Sequence, residues 1–240
     1  MADSIAPDLS GPAREAEEFL YIVTHDLKAF ARAMRMIPDW IAEDIAAQGQ
    51  TLPAEAVENM VMLRDYAVRM DATLDALTEL SRVGRLSDPI ATHDLQAIVR
   101  AVCAGLPDLP AIECGIACDG VAVSGPENDL HKLFAALVHN VAAHHDRKAG
   151  TLRVEARVSN ERVHVTVSDD GPGIPDQQLE AVFKPLTALR PKSETGHCGV
   201  GLAIARKVVR NLGGDIQVEP NGATRGCCLR FDLPQAPAQG

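Results

Sequence analysis

The chain has 240 residues, of which 46% are hydrophobic and 23% charged, and its formal net charge is -10. This composition excludes wholesale disorder, and the acidic balance argues against nucleic acid or an anionic membrane surface as partner. Only 3% of residues are aromatic, so the cores must be built from Leu, Val, Ile, Ala and Met.

No apolar run approaches the roughly 20 residues needed to cross a bilayer. The opening MADSIAPDLSGPAREAEEF has neither a basic start nor an apolar core, unlike a signal peptide. A cytoplasmic protein with no membrane insertion is expected. The six cysteines contain no Cys-x-x-Cys pair and read as free thiols of a reducing compartment.

Residues 1–14 read as a disordered N-terminus. Over residues 12–48, Leu20, Val23, Leu27, Phe30, Met34, Ile37 and Ile41 recur three and four apart, which predicts a long helix with a bundle-type seam. Pro38 interrupts it, and a kink rather than a stop is expected. After a turn at Gly49–Pro53, a second helix over 53–83 repeats the pattern with Met60, Leu63, Ala67, Met70, Leu74 and Leu77. Residues 15–85 thus form a helical hairpin, and two hairpins pairing as a homodimeric four-helix bundle would cover both seams.

A linker spans 86–92, and mixed α/β texture follows over 93–234, with a tail at 235–240. Helices are expected near 93–105, 127–145, 176–182 and 199–212. Strands are expected near 111–117, 121–123, 151–158, 162–168, 215–219 and 227–233. The polar stretch 184–198 reads as a mobile loop. The fold class is therefore α+β, a helical hairpin followed by an α/β sandwich.

Three local patterns carry chemistry. A strand ends at Asp170, followed at once by Gly171 and Gly173; the glycines allow close approach of a flat ligand, and an acidic group there can accept from an exocyclic amine. Gly199 and Gly201 open a helix, whose N-terminal amides suit phosphate. Asn140 lies on an amphipathic helix and offers a Mg²⁺ ligand. Each pattern also has a plain alternative: a simple Asp-Gly turn, tight helix packing, or a polar face. His144, His145 and Asp146 cluster at a helix end, where cations complement the dipole.

The order of these patterns, with Phe183 and a last strand ending Leu233-Pro234, resembles the GHKL ATPase superfamily and its Bergerat fold. Phe19-Leu-Tyr-Ile-Val-Thr-His-Asp-Leu-Lys28 resembles the H-box of bacterial sensor histidine kinases. Trp40-Ile-Ala-Glu-Asp and Leu80-Ser-Arg-Val-Gly-Arg85 resemble the rest of that dimerisation and phosphotransfer module. The resemblance implies that His25 takes the γ-phosphoryl group of ATP, with Asp26 hydrogen-bonded to the imidazole. It implies that Asn140 holds Mg²⁺ through ATP and that Asp170 reads the adenine amine. Gly171, Gly173, Ile174, Phe183, Gly199, Gly201 and Leu202 would complete the nucleotide pocket under a lid at 184–198. It further implies a response regulator receiver domain as phosphate acceptor and, with no room for a sensor before His25, a separate sensor protein.

The pattern is broken in places. Phe30 stands where the family has Pro, and Ala29 where many members carry a residue linked to dephosphorylation, which predicts weak phosphatase activity. Ala136, Ala143, His197 and Cys227 replace polar, cationic or glycine positions of the nucleotide box. A second reading therefore stands beside the kinase: a phosphotransfer or docking protein of the same architecture that does not bind ATP. A GHKL serine kinase or ATPase of another branch is a third, disfavoured by His25-Asp26 on a long hairpin.

Overall fold

The structure, a computed structural model, describes residues 11–85, 88–105, 111–187, 198–220 and 225–237. It falls into two compact units, Met1–Ser81 and Arg82–Gly240. The division precedes the expected boundary at 85. Val83 is already buried, and Gly84, at φ +79°, has no room for a Cβ beside the Asn211 side chain.

The first unit is two helices, α1 (Gly11–Ala47) and α2 (Ala54–Arg82). α1 continues through Pro38 without ending. Ion pairs Lys28–Asp75, Arg35–Asp71 and Asp39–Arg64 descend α2 as they climb α1, so the helices are antiparallel. The buried line of α1 is Thr24, Ala31 and Pro38, with Leu20, Leu27 and Met34 half-covered. Of the expected seam, Phe30, Ile37 and Ile41 instead stay 61%, 43% and 45% exposed. The reason is steric: Ala31, Ala67, Thr24 and Thr78 let the helices approach closely, and the bulky side chains are rotated to the flank. The two threonine hydroxyls meet in that interior, Thr78 Oγ1 lying 3.2 Å from Thr24 Oγ1.

The second unit holds β1 (Ala91–Asp94), a strand where the end of the linker and the start of a helix are expected. Asp94 then caps α3 (Leu95–Ala104), its carboxylate accepting the Gln96 N–H at 3.0 Å. There follow β2 (Ala111–Ala117), β3 (Ala122–Gly125), α4 (Glu127–His144), β4 (Ala149–Ser159) and β5 (Arg162–Asp169). α5 (Gly201–Asn211), β6 (Ile216–Glu219) and β7 (Cys227–Pro234) complete the chain. The helix expected over 176–182 is only two 3-10 turns, Asp176–Gln178 and Ala181–Phe183. That segment is a short stretch between Pro175 and Pro185, too short to propagate a stable α-helix.

β1 pairs with β3, and a five-stranded sheet has the order β2-β4-β5-β7-β6. β2 runs parallel to β4, and the other pairs are antiparallel. The strands alternate strictly: Val163, Val165 and Val167 of β5 and Leu229, Phe231 and Leu233 of β7 point to one buried face. Leu130, Leu133, Phe134 and Leu137 of α4 and Val208 and Val209 of α5 fill the same core, and the Phe134 and Phe231 rings meet with centroids 6.0 Å apart. β4 and β5 are joined at Asn160 and Glu161, both with positive φ (53° and 60°), a tight hairpin turn.

Candidate functional site

On the hairpin, Thr24 turns inward, so the next residue must turn out, since successive helical positions differ by about 100°. His25 and Asp26 are accordingly exposed, with side chains 73% and 71% accessible. Their side chains meet, Nδ1 lying 3.2 Å from Asp26 Oδ1. A carboxylate only accepts, so Nδ1 carries a proton, and Nε2 of the neutral ring would present its lone pair to solvent.

On the α/β unit, the chain leaves β5 in two carboxylates of opposite circumstance. Asp169 continues the inward phase of Val163, Val165 and Val167 and so faces the helix-covered side of the sheet. It is largely buried and accepts the Gly171 N–H at 2.8 Å. Burial raises its pKa above the ordinary carboxylate value, partly offset by the backbone N–H groups of Gly171 and Cys227. Asp170 is turned away and half-exposed. Its Oδ1 accepts the Thr151 N–H at 2.6 Å and the His145 Nε2–H at 3.1 Å, and the Thr151 bond first, then His145, holds its pKa down to about 2.

The glycines after these carboxylates are required by the packing. Gly173 has φ +80°, and a Cβ there would come within 2.8 Å of the Gly226 carbonyl. Gly226 N–H in turn donates to Gly171 O at 2.9 Å, so the turn rests on the start of β7. Arg225, one residue earlier, pairs with Asp146 at 2.6 Å and reaches the Asp170 carbonyl. Beside Asp169, Cys227 is buried, and burial followed by the Asp169 charge pushes its thiol up to about 12. Ile174 is half-buried on the same turn.

Gly201 opens α5 against α4, where an added Cβ would meet the Ala136 carbonyl at 3.6 Å and its methyl at 3.9 Å. Asn140 lies one helical turn beyond Ala136 on the same half-covered stripe. Gly199, at φ +66°, leaves no space for a Cβ next to Thr187, and Leu202 is buried behind it. Phe183 is buried in its 3-10 turn, with the Arg206 guanidinium 4.8 Å from the ring centroid. Together, a buried carboxylate, glycine backbone on two sides and an amide-bearing helix stripe fit a flat ligand with a phosphate tail. Asn140, a neutral oxygen donor, suits a hard cation held mainly by that tail. Among the described residues, no cluster of three or more metal-ligating side chains appears. Most of the expected lid, including His197, lies outside the described residues.

Three residues escaped the sequence reading. Counted back from Gly171 and Gly173, the first member of an Asp-x-Gly-x-Gly motif is Asp169, and strand phase alone would have placed it inward. His145 was grouped with the helix end, but its side chain is fully covered against Asp170. Arg225 carried no local signal.

Residues 125–237 match the family of histidine kinase-, DNA gyrase B- and HSP90-like ATPases. The chain as a whole is similar to proteins named as sensor or histidine kinases. It is 28% identical over 227 residues to cyanobacterial phytochrome B of Nostoc, covering 91% of this chain and 30% of that protein. It is 29% identical over 231 residues to the methanogenesis regulatory histidine kinase FilI of Methanothrix harundinacea, covering 92% and 25%. With sensor protein SphS of Synechococcus elongatus the identity is 29% over 241 residues, covering 94% and 56%. The chain thus spans only part of these relatives' length. Among solved structures, full-length ShkA in complex with AMPPNP superposes with a TM-score of 0.66 at 19% identity, over 93% of this chain and 47% of that one. AdeS of Acinetobacter baumannii gives 0.55 at 19%, over 83% and 96%. These likenesses concern the fold.

Proposed function

We propose that this chain is an ATP-dependent protein-histidine kinase whose phosphorylated residue is His25. The observation that carries the reading is the exposed His25–Asp26 pair, with Nδ1 engaged and Nε2 free, in a chain whose other unit matches an ATPase family. Nε2 forms the bond to the γ-phosphorus as the bond from that phosphorus to the bridging oxygen of ADP breaks. Asp26 takes up the Nδ1 proton as the ring gains positive charge.

In the α/β unit Asp169, rather than Asp170, is the carboxylate we assign to the adenine amine; Asp170 braces it. Gly171, Gly173, Ile174, Phe183 and Leu202 shape the pocket. Gly199 and Gly201 admit the phosphates, and Asn140 holds Mg²⁺ through them. The phosphoryl group then passes to an aspartate of a response regulator receiver domain, and a separate protein supplies the signal. A homodimer is supported by the large apolar side chains the hairpin leaves exposed, Phe30, Ile37 and Ile41 on α1 and Met62 and Tyr66 on α2. No helix among the described residues is long and apolar enough to cross a membrane, in keeping with a cytoplasmic site of action.

One observation favours the ATP-free docking reading: Ala136 faces Gly201 with a methyl group where a polar contact would serve the ligand. Incubation with Mg²⁺ and γ-labelled ATP decides between them. Acid-labile label is expected on the wild type and lost in His25→Ala and Asn140→Ala. No label together with no nucleotide binding by calorimetry would leave the docking protein.

A further inference from the structure

The end of α4 places an imidazole directly behind the turn that carries Asp169. His145 caps that helix, the first residue past its end, and its side chain has no accessible surface. Its ring lies flat against Gly150, so closely that a Cβ at that position would collide with Nε2, Cε1 and Cδ2. On the other side its Cδ2 approaches Gly171, 3.7 Å from where a Cβ would stand. Nε2 donates to Asp170 Oδ1 at 3.1 Å. Nδ1 accepts the Arg147 N–H at 3.2 Å, and the Arg147 carbonyl lies at the same distance. The backbone of Arg147 therefore offers a partner to either protonation state of Nδ1. The ring is fixed whether neutral or charged.

A buried imidazole fully occupied by hydrogen bonds is a structural brace unless what it braces is functional. Here each contact leads to one place. Asp170 ties the ring to the first residue after β5, and Thr151 N–H ties Asp170 to β4. Gly171, whose missing side chain leaves room for the ring, supplies the N–H that orients Asp169. The charged groups that act on the ring are Asp170, bonded to it, and Asp169, both from the end of β5; next to them, Arg225 pairs with Asp146 and reaches the Asp170 carbonyl.

We propose that His145 is a positioning residue of the nucleotide pocket, holding Asp170 and Gly171 so that Asp169 is presented to the base. The inference rests on the nucleotide-binding reading above. It predicts a loss that appears in ATP binding, that travels through Asp170, and that a donor placed near Nε2 restores. His145→Ala is expected to raise the KM for ATP about tenfold or more, the effect of losing a hydrogen bond to a charged group, with kcat at saturating ATP little changed. His145→Gln, whose amide nitrogen reaches the Nε2 position, is expected to recover most of the loss. In an Asp170→Ala background, His145→Ala is expected to add little, because the two act as one unit.

The decisive experiment is calorimetric titration of Mg-ATP into the full chain and these variants, beside their labelling kinetics and thermal midpoints. Hydrogen exchange at Gly171 and Thr151 reads the same brace without nucleotide, and His145→Ala is expected to accelerate both. Wild-type affinity in His145→Ala would overturn the proposal, as would a binding loss that Gln does not rescue or that adds fully to that of Asp170→Ala. If the wild type itself binds no ATP, the kinase reading fails and this one with it, an outcome distinct from wild-type binding that His145→Ala leaves intact.

Discussion

The two units solve the problem of burying apolar surface in opposite ways. The α/β unit closes its core within one chain: Leu95, Val99, Leu130, Leu133, Phe134, Leu137, Leu152, Ile216 and Leu233 are all essentially inaccessible. Among the described residues the hairpin buries mainly small or polar side chains, Thr24, Ala31, Ala67, Thr78 and Ser81, with Leu74 the one large aliphatic. Its large side chains, Phe30, Ile37, Trp40, Ile41 and Tyr66 among them, stay outside. A patch of this kind marks a surface that is completed by another molecule. The lesson is that close helix approach uses small residues, so the bulky ones are left on the outside, where the proposed homodimer would cover them.

The contrast is broken most severely in the α/β core. Phe134→Ala removes a fully buried ring that meets Phe231 and is expected to cost about 3–5 kcal/mol, read as a fall in the denaturant midpoint of that unit alone. An unchanged midpoint would mean the core is not closed within the chain. The next largest effect falls on the hairpin. Phe30→Asp, at an exposed site in the single chain, is expected to leave α/β unfolding unaltered while weakening self-association by at least about tenfold in sedimentation. Loss of helix in the isolated chain instead would place Phe30 inside its own hairpin.

The smallest effect concerns the two carboxylates that end β5. Asp170 has its pKa lowered to about 2, against about 3.9 in an unfolded chain. Its contribution to stability is present above the unfolded value and fades as the pH falls from about 4 towards 2. Asp169 is raised, so its charged form opposes folding at neutral pH and that opposition lifts as the pH falls. Asp170→Asn is therefore expected to flatten part of the acid limb of the stability curve. Asp169→Asn is expected to spare or improve thermal stability while removing ATP binding. Equal acid limbs in wild type and Asp170→Asn would argue against the Thr151 and His145 bonds.

How far the sequence could be read depended on whether a pattern was local. The strands followed from β-branched alternation, and β2 was bounded correctly at Ala111–Ala117. β1, only Ala-Thr-His-Asp, has no alternation to see and exists because β3 pairs with it. The hairpin helices were legible from their spacing, but a stripe repeating every 3.5 residues does not say which flank faces its own partner. Thr24 and Ala31 decided that, and polar or small residues are discounted when apolar ones are being counted. At the nucleotide turn the motif was visible, yet which of two adjacent aspartates points inward is a question of strand phase. His145 was legible only as a helix-end residue, since its role depends on Gly150 and Asp170 arriving from two other strands.

The turn between β4 and β5 has a consequence for how much this fold could still change. Asn160 tolerates a left-handed backbone, whereas Glu161 adopts it at φ 60° with a full side chain, at a cost of roughly 1–2 kcal/mol. Its carbonyl is held by the Gln235 N–H, so the strained conformation is retained by the surrounding structure. The hairpin most favoured by tight turns would carry glycine at that position. Thermodynamic headroom is thus stored in a loop joining two strands at the end opposite Asp169, where a single substitution can raise the tolerance of the whole α/β unit to later, destabilising change.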